Sequence, residues 1–189
     1  MTTATDARDR ILAAATRRFV TSGYHGISMR EIADDVGVSK AALYYHFRDK
    51  EALFLAILDE AVERMGTLLD ECARETTTRD RLRRLLRGLF AWCPEERAVI
   101  RLASQEIVHL DETARTAFIH RYHDAFVGRI RGFLREGVER GELRPVDPVR
   151  ATWVLLGMIY PFILAARTAD DQQGPDELVL SILFDGIGA

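Results

Sequence analysis

The chain has 189 residues, 48% hydrophobic and 29% charged, enough to bury a real core in one larger domain or two small ones. No apolar run reaches the ~20 residues of a membrane span, and the N-terminus lacks the basic-then-apolar pattern of a secretory leader. Cys72 and Cys93 form neither a CxxC pair nor a disulfide framework, so the expected setting is a reducing cytoplasm without membrane contact. The net charge of −3 is unevenly spread: residues 1–50 hold eight Lys/Arg against six Asp/Glu, and the remainder eighteen against twenty-three.

Hydrophobic periodicity predicts an all-α chain of about nine helices. Ile11, Leu12, Ala15 and Phe19 recur at helical spacing from about Asp6 to Ser22, and Gly23 is a natural left-handed stop. Ser28 with Glu31 three places on reads as a capping box opening a short second helix, buried through Met29, Ile32, Ala33 and Val36 and ended by Gly37. Ser39 caps a third helix through roughly Phe47, and Asp49 caps a long fourth one, with Leu53 or Phe54, Ile57, Ala61, Met65 and Leu68 inward. That helix stops before Thr76-Thr77-Thr78. Leu82, Leu85, Leu86, Leu89 and Phe90 mark a fifth helix, and Pro94-Glu95-Glu96 suits the first turn of a sixth. The seventh runs from Glu112 to Arg140, closed by Gly141. Asp147-Pro148 opens an eighth to about Thr168, a polar loop follows from Asp170 to Pro175, and Leu178, Val179, Ile182 and Leu183 mark a ninth.

Residues 28–50 meet the demands of a helix-turn-helix. Ala33 is small enough for a tight helix crossing, Gly37 tolerates positive φ in the turn, and Ile32, Val36, Val38 and Leu43 lock the pair. The second helix of such a pair presents side chains to a DNA major groove. Gly37-Val-Ser-Lys-Ala-Ala-Leu-Tyr-Tyr-His-Phe-Arg-Asp-Lys50, preceded by Gly23-Tyr-His-Gly-Ile-Ser-Met-Arg-Glu-Ile-Ala, resembles the recognition region of the TetR family of transcriptional regulators over about residues 5–55; beyond it only the helical pattern is similar. The resemblance implies a DNA-binding domain over residues 1–50 and an effector-binding and dimerisation domain over 51–189. A mildly basic head on an acidic body suits contact with DNA at one end. By resemblance, Tyr44 and Lys50 match phosphate-holding positions, Lys40, Ala41, Tyr45 and His46 face bases or nearby backbone, and Arg30 reaches the groove; Ser39, the cap of the third helix, is counted with the DNA-binding residues. Ser28 is a cap that can also donate to a phosphate. As alternatives, Tyr44, Tyr45 and Phe47 are core aromatics, the preferred reading for Phe47 alone, while Arg8 and Arg10 either touch DNA backbone or only solvate the first helix.

What the resemblance implies is a homodimeric repressor, released from a pseudo-palindromic double-stranded operator by a small-molecule effector, with no cofactor; the chemistry of the effector does not come with the resemblance, and an apolar or aromatic compound is the expectation from the body's own side chains. The eighth and ninth helices are apolar around most of their circumference, which fits either a two-fold dimer seam or wholly internal packing; Trp153, Leu156, Tyr160, Leu180 and Phe184 are the interface candidates. Met65, Phe90, Trp92, Gln105, His109, Tyr122, Phe126 and Trp153 are candidates for the effector pocket, with ordinary packing the competing reading of each. Glu106-x-x-His109 and His120-x-x-His123 beside Asp124 place metal-ligating types on one helical face, but spacing cannot show convergence, and no metal site is assigned. The alternatives to an effector-released repressor are a metal-binding helical-bundle enzyme and a regulator without ligand. Against the enzyme, the chain lacks G-x-S-x-G, H-E-x-x-H, a Walker lysine loop and Rossmann glycines.

Overall fold

The computed structural model describes residues 4–164 and 175–187, and the elements among them are all helical. In chain order they are α1 (Ala4–Ser22), α2 (Met29–Val36), α3 (Lys40–His46), α4 (Lys50–Cys72), α5 (Thr78–Ala91) and α6 (Pro94–Glu106). A 3-10 turn (Ile107–His109), α7 (Glu112–Tyr122), a π-helical segment (His123–Val127), α8 (Gly128–Glu139), α9 (Pro148–Leu164) and α10 (Asp176–Ile187) follow. The seventh helix of the sequence reading is thus one continuous run with a π-helical middle; taken as one, it makes nine helices among the described residues. Gly128 accommodates the wide turn, since a Cβ there would lie 3.1 Å from the His123 carbonyl oxygen. The expected continuation of the eighth helix to Thr168 and the loop from Asp170 to Gly174 lie outside the described residues.

The chain divides into two compact units. One comprises the residues up to Ala61 together with Ala98–Phe118; the other comprises Val62–Arg97 and the residues from Ile119 onward. The return segment Ala98–Phe118 has no counterpart in the sequence-based division after residue 50, because no shift in composition marks it.

In the first unit the apolar stripes close on one another: Ile11, Leu12, Ala15 and Phe19 of α1, Ile32 and Ala33 of α2, Leu43 of α3, and Leu53, Phe54 and Ile57 of α4 are all buried. Burial of each large side chain contributes about 1.5–3 kcal/mol. Phe19 meets the edge of Phe54 at 5.4 Å between ring centroids, and Tyr24 adds to the same cluster at 5.1 Å from Phe54. Arg10 donates from Nη2 to the carbonyl of Val36 at 2.9 Å, satisfying an end of α2 that the helix itself cannot. Arg18 grips Asp35 through both of its faces, one bond at 2.6 Å. The return segment is tied in by the Asp111 N–H, which donates to Glu51 at 2.9 Å.

The second unit packs α5, α8, α9 and α10 with the end of α4. Leu82, Leu85, Leu86, Leu89, Ile130, Leu134, Leu155, Leu156 and Leu180 are essentially inaccessible. On α4 the buried residue is Leu69, four places after Met65, rather than the expected Leu68, which is half-buried beside Gly88. Arg81 is buried yet fully partnered: it donates to Glu136 at 2.7 Å and to the Glu75 carbonyl at 3.0 Å, and lies over the Phe133 ring. Asp147 accepts from the N–H of Val149 at 2.9 Å and opens α9, which runs through Pro161. No helix among the described residues is long and apolar enough to cross a membrane.

Candidate nucleic-acid interface

The site begins with two caps and a turn. Ser28 Oγ accepts from the N–H of Glu31, and the Glu31 carboxylate accepts from the Ser28 N–H at 2.8 Å and from its hydroxyl at 2.6 Å. These bonds hold the Glu31 carboxyl below the usual carboxylate range and complete the expected capping box. They also engage the one proton of the Ser28 hydroxyl with Glu31. Gly37 closes α2 at φ +70°, a conformation that favours glycine, with its own N–H directed to Asp34 and that of Val38 to Ala33. Ser39 then caps α3 by accepting from Ala42 at 3.1 Å. Among the described residues its hydroxyl proton meets no acceptor.

With Leu43 wholly buried against α2, helical geometry turns the other side of α3 outward. Lys40, Ala41, Tyr44 and Tyr45 are exposed, Tyr45 to 82% and Tyr44 to 42%, so neither tyrosine is a core residue. His46 is half-buried with its ring edge on Tyr45, and Phe47 is buried beneath the Arg8 guanidinium, in keeping with its preferred reading. Arg8 and Arg10 are accordingly engaged within the unit, one over a ring and the other on a helix end. Lys40 Nζ sits 5.7 Å from the centre of the Tyr44 ring.

Lys50 begins α4 after Asp49, which accepts from Ala52 at 2.7 Å. That backbone bond keeps the Asp49 carboxyl below its ordinary range. Lys50 Nζ lies 4.9 Å from the Tyr24 ring centre, and partial burial there lowers its pKa. Ser28, Arg30, Lys40, Tyr44 and Lys50 together line a concave groove of about 510 Å³. Ser39, Ala41, Tyr45 and His46 extend the surface along α3. His25, passed over in sequence reasoning, lines the same groove; its signal was an aromatic pair, Tyr24-His25, set between two glycines.

The remaining candidates disperse. Of the eight pocket candidates, Gln105 and His109 belong to the first unit and the other six to the second. Gln105 lines a cavity of about 170 Å³ with Phe19 and Gly23, and His109 packs against the rings of His25 and Tyr24 with Glu106 at 3.5 Å from its Nε2. In the second unit Met65, Phe90 and Phe126 are buried, Trp92 is half-buried, and Tyr122 hydrogen-bonds Tyr160 with its ring tilted against that of Phe126. Burial in the low-dielectric interior pushes the phenol of Tyr122 far above its ordinary range. Trp153 is half exposed and touches His123. Among the described residues no group of three or more His, Cys, Asp or Glu side chains is placed to hold a metal ion.

The interface candidates divide between core and surface. Leu156, Leu180 and Phe184 are buried in the chain's own core, because α9 and α10 direct those faces inward against the other helices of the unit. The apolar side chains left outward are Val149, Trp153, Val154 and Phe162 on α9 and Leu178 and Ile182 on α10.

Residues 11–57 match the family model of bacterial regulatory proteins of the tetR family, and residues 75–161 match that of the tetracyclin repressor-like C-terminal domain. The chain is 28% identical over 178 residues to the HTH-type transcriptional repressor AcnR of Corynebacterium glutamicum, covering 93% of this chain and 89% of that protein. It is 42% identical over 86 residues to the HTH-type transcriptional activator FasR of Mycolicibacterium smegmatis, a match that spans only 39% of FasR. Among solved structures, AibR in complex with isovaleryl coenzyme A and operator DNA superposes with a TM-score of 0.76 at 25% identity, over 95% of this chain and 97% of that one.

Proposed function

Since the chain belongs to the TetR family of regulators and is a DNA-binding transcription regulator, we propose that it acts as a homodimeric repressor which a small-molecule effector releases from its operator. The observation that carries the DNA-binding part is the outward face of α3 beside the groove that joins Arg30, Lys40, Tyr44 and Lys50. Lys50, Tyr44 and Ser39 supply phosphate donors, which set register and affinity. Lys40 is the base reader, its ammonium donating to guanine O6 or N7, and Ala41 offers a methyl for a thymine. With an alanine on the reading face, DNA shape carries part of the specificity.

Pairing through the outward apolar residues of α9 and α10 gives a two-fold dimer and hence a pseudo-palindromic operator. Its two recognition helices then enter successive major grooves about 34 Å apart. An effector held by the second unit, with Met65, Phe90, Trp92, Tyr122, Phe126 and Trp153 as its candidate contacts, favours a dimer in which that separation is wrong. Its leverage equals its difference in affinity for the two states. AcnR, a repressor by name, supports the repressor reading, and AibR, solved in complex with isovaleryl coenzyme A and operator DNA, supports a chain that takes both a small molecule and DNA; a cytoplasmic location belongs to the same proposal. Selection of bound fragments from random duplex DNA tests it: the expected product is an inverted repeat with half-sites about one helical turn apart. Enrichment of single, unpaired half-sites would remove the dimer from the proposal.

A further inference from the structure

His25 lies in the turn between α1 and α2, exposed, on the wall of the groove it shares with Arg30, Lys40, Tyr44 and Lys50. Within the first unit, the return segment braces that turn at three successive residues. The Glu106 carboxylate lies against Gly23, where a Cβ would come within 2.9 Å of its Oε1. The His109 ring stands nearly parallel to that of Tyr24 at 6.4 Å between centroids. It also meets the His25 ring edge to face, at 4.4 Å. Tyr24 adds a second edge-to-face contact with His25 at 5.2 Å, so the imidazole is confined between two aromatic neighbours at the mouth of the turn.

The charged groups facing His25 come from four helices. Arg30 and Glu31 of α2, Lys40 of α3 and Lys50 of α4 share its groove, and Glu106 of α6 lies behind His109, 3.5 Å from its Nε2. Asp49 and Glu51 add negative charge beside the Tyr24 phenol, and Tyr44 is the other titratable phenol on the groove. Glu31 is already engaged by Ser28. The groove wall thus sets three cations against one occupied carboxylate, and an imidazolium there gains its anion when a DNA phosphate enters. We propose that His25, in its charged form, is a further DNA-phosphate contact of this interface, and that His109 is a positioning residue which holds the His25 ring at the groove wall. This rests on the reading of the groove as the DNA interface. Imidazole is the side chain that changes charge between about pH 5 and 8. Because the complex favours its protonated form, DNA binding takes up a proton, and affinity rises as pH falls, by at most about ten-fold per pH unit for each subunit bound.

Fluorescence anisotropy of the full chain with a labelled mixed-sequence duplex, from about pH 8 to about pH 6 and at several salt concentrations, tests the contact. Over that range the parent is expected to gain at least about three-fold more affinity than His25→Gln, which keeps a polar side chain without the charge. At the acid end the parent's salt slope is expected to be steeper than the variant's by about one for each subunit. His46 is the other imidazole along α3, and in His46→Gln the gain that His25→Gln removes is expected to persist. His109→Ala is expected to lose most of the gain, and His109→Phe, which keeps an aromatic ring against His25, to recover it. The same pH course in the parent and in His25→Gln would overturn the contact. A gain that His109→Phe fails to recover would overturn the positioning role. A parent that binds no duplex at any pH removes the DNA reading and this inference with it, whereas duplex binding whose pH course is indifferent to His25 removes the inference alone.

Discussion

Lys40 and Lys50 carry the same charge, but their surroundings divide their work. Lys50 is held over the Tyr24 ring beside the groove, where the proposed reading gives it a phosphate, whereas Lys40 stands in the first turn of the outward face of α3. Lys50→Ala is expected to weaken binding to all duplexes alike and to lower the salt slope by about one. Lys40→Ala is expected instead to change preference among sequences, by about 1–3 kcal/mol at the affected base pair. Fluorescence anisotropy against a panel of operators at several salt concentrations separates the two, and variants indistinguishable from the parent would count against the interface. Tyr44, Tyr45 and Phe47 show how far such residues are legible. All three are aromatic within four positions, and the phase set by Leu43 sends two outward and one in. Ser28 was legible as a cap because its partner Glu31 is local; that the cap would also occupy the hydroxyl proton emerges only from the bond geometry.

Caps and stops at the element scale were readable because they are chemistry between residues two to four apart. The Ser28, Ser39 and Asp49 caps all form where the sequence places them, as does the Gly37 stop. Ser28→Ala is therefore expected to lower stability by about 1 kcal/mol in chemical denaturation, with little loss of DNA affinity at saturating folded protein. A large affinity loss without destabilisation would restore Ser28 as a phosphate donor. Features that depend on distant partners were not readable. The π-helical turn at His123–Val127 leaves no mark in the periodicity of a helix that continues on both sides of it. Leu68 and Leu69 are equally apolar, and only the packing around α4 selects the second.

For the whole molecule, the proposed dimer closes on the outward apolar residues of α9 and α10. Ile182→Asp, at a position 54% exposed, is expected to leave the fold intact and give a monomer in sedimentation. Its operator affinity then falls about 100-fold or more as the coupling between half-sites is lost. Leu156→Ala, at a position 1% exposed, should act differently, costing about 2–5 kcal/mol of stability through a core cavity. A monomer from Leu156→Ala but not from Ile182→Asp would place the seam elsewhere.

The sequence by itself determined the helical class, the order of the helices, the helix-turn-helix and the side chains on its outer face. Each of these follows from residues close enough along the chain to share a turn or a stripe. Tertiary structure alone decided that Ala98–Phe118 joins the unit that carries the helix-turn-helix, that Leu156 and Leu180 face inward, and that the buried Arg81 meets Glu136. Those outcomes depend on which surfaces meet across long separations in the chain. An apolar helix carries the same sequence pattern whether its neighbour is its own core or a second subunit, and an arginine reads alike whether or not a carboxylate waits opposite it.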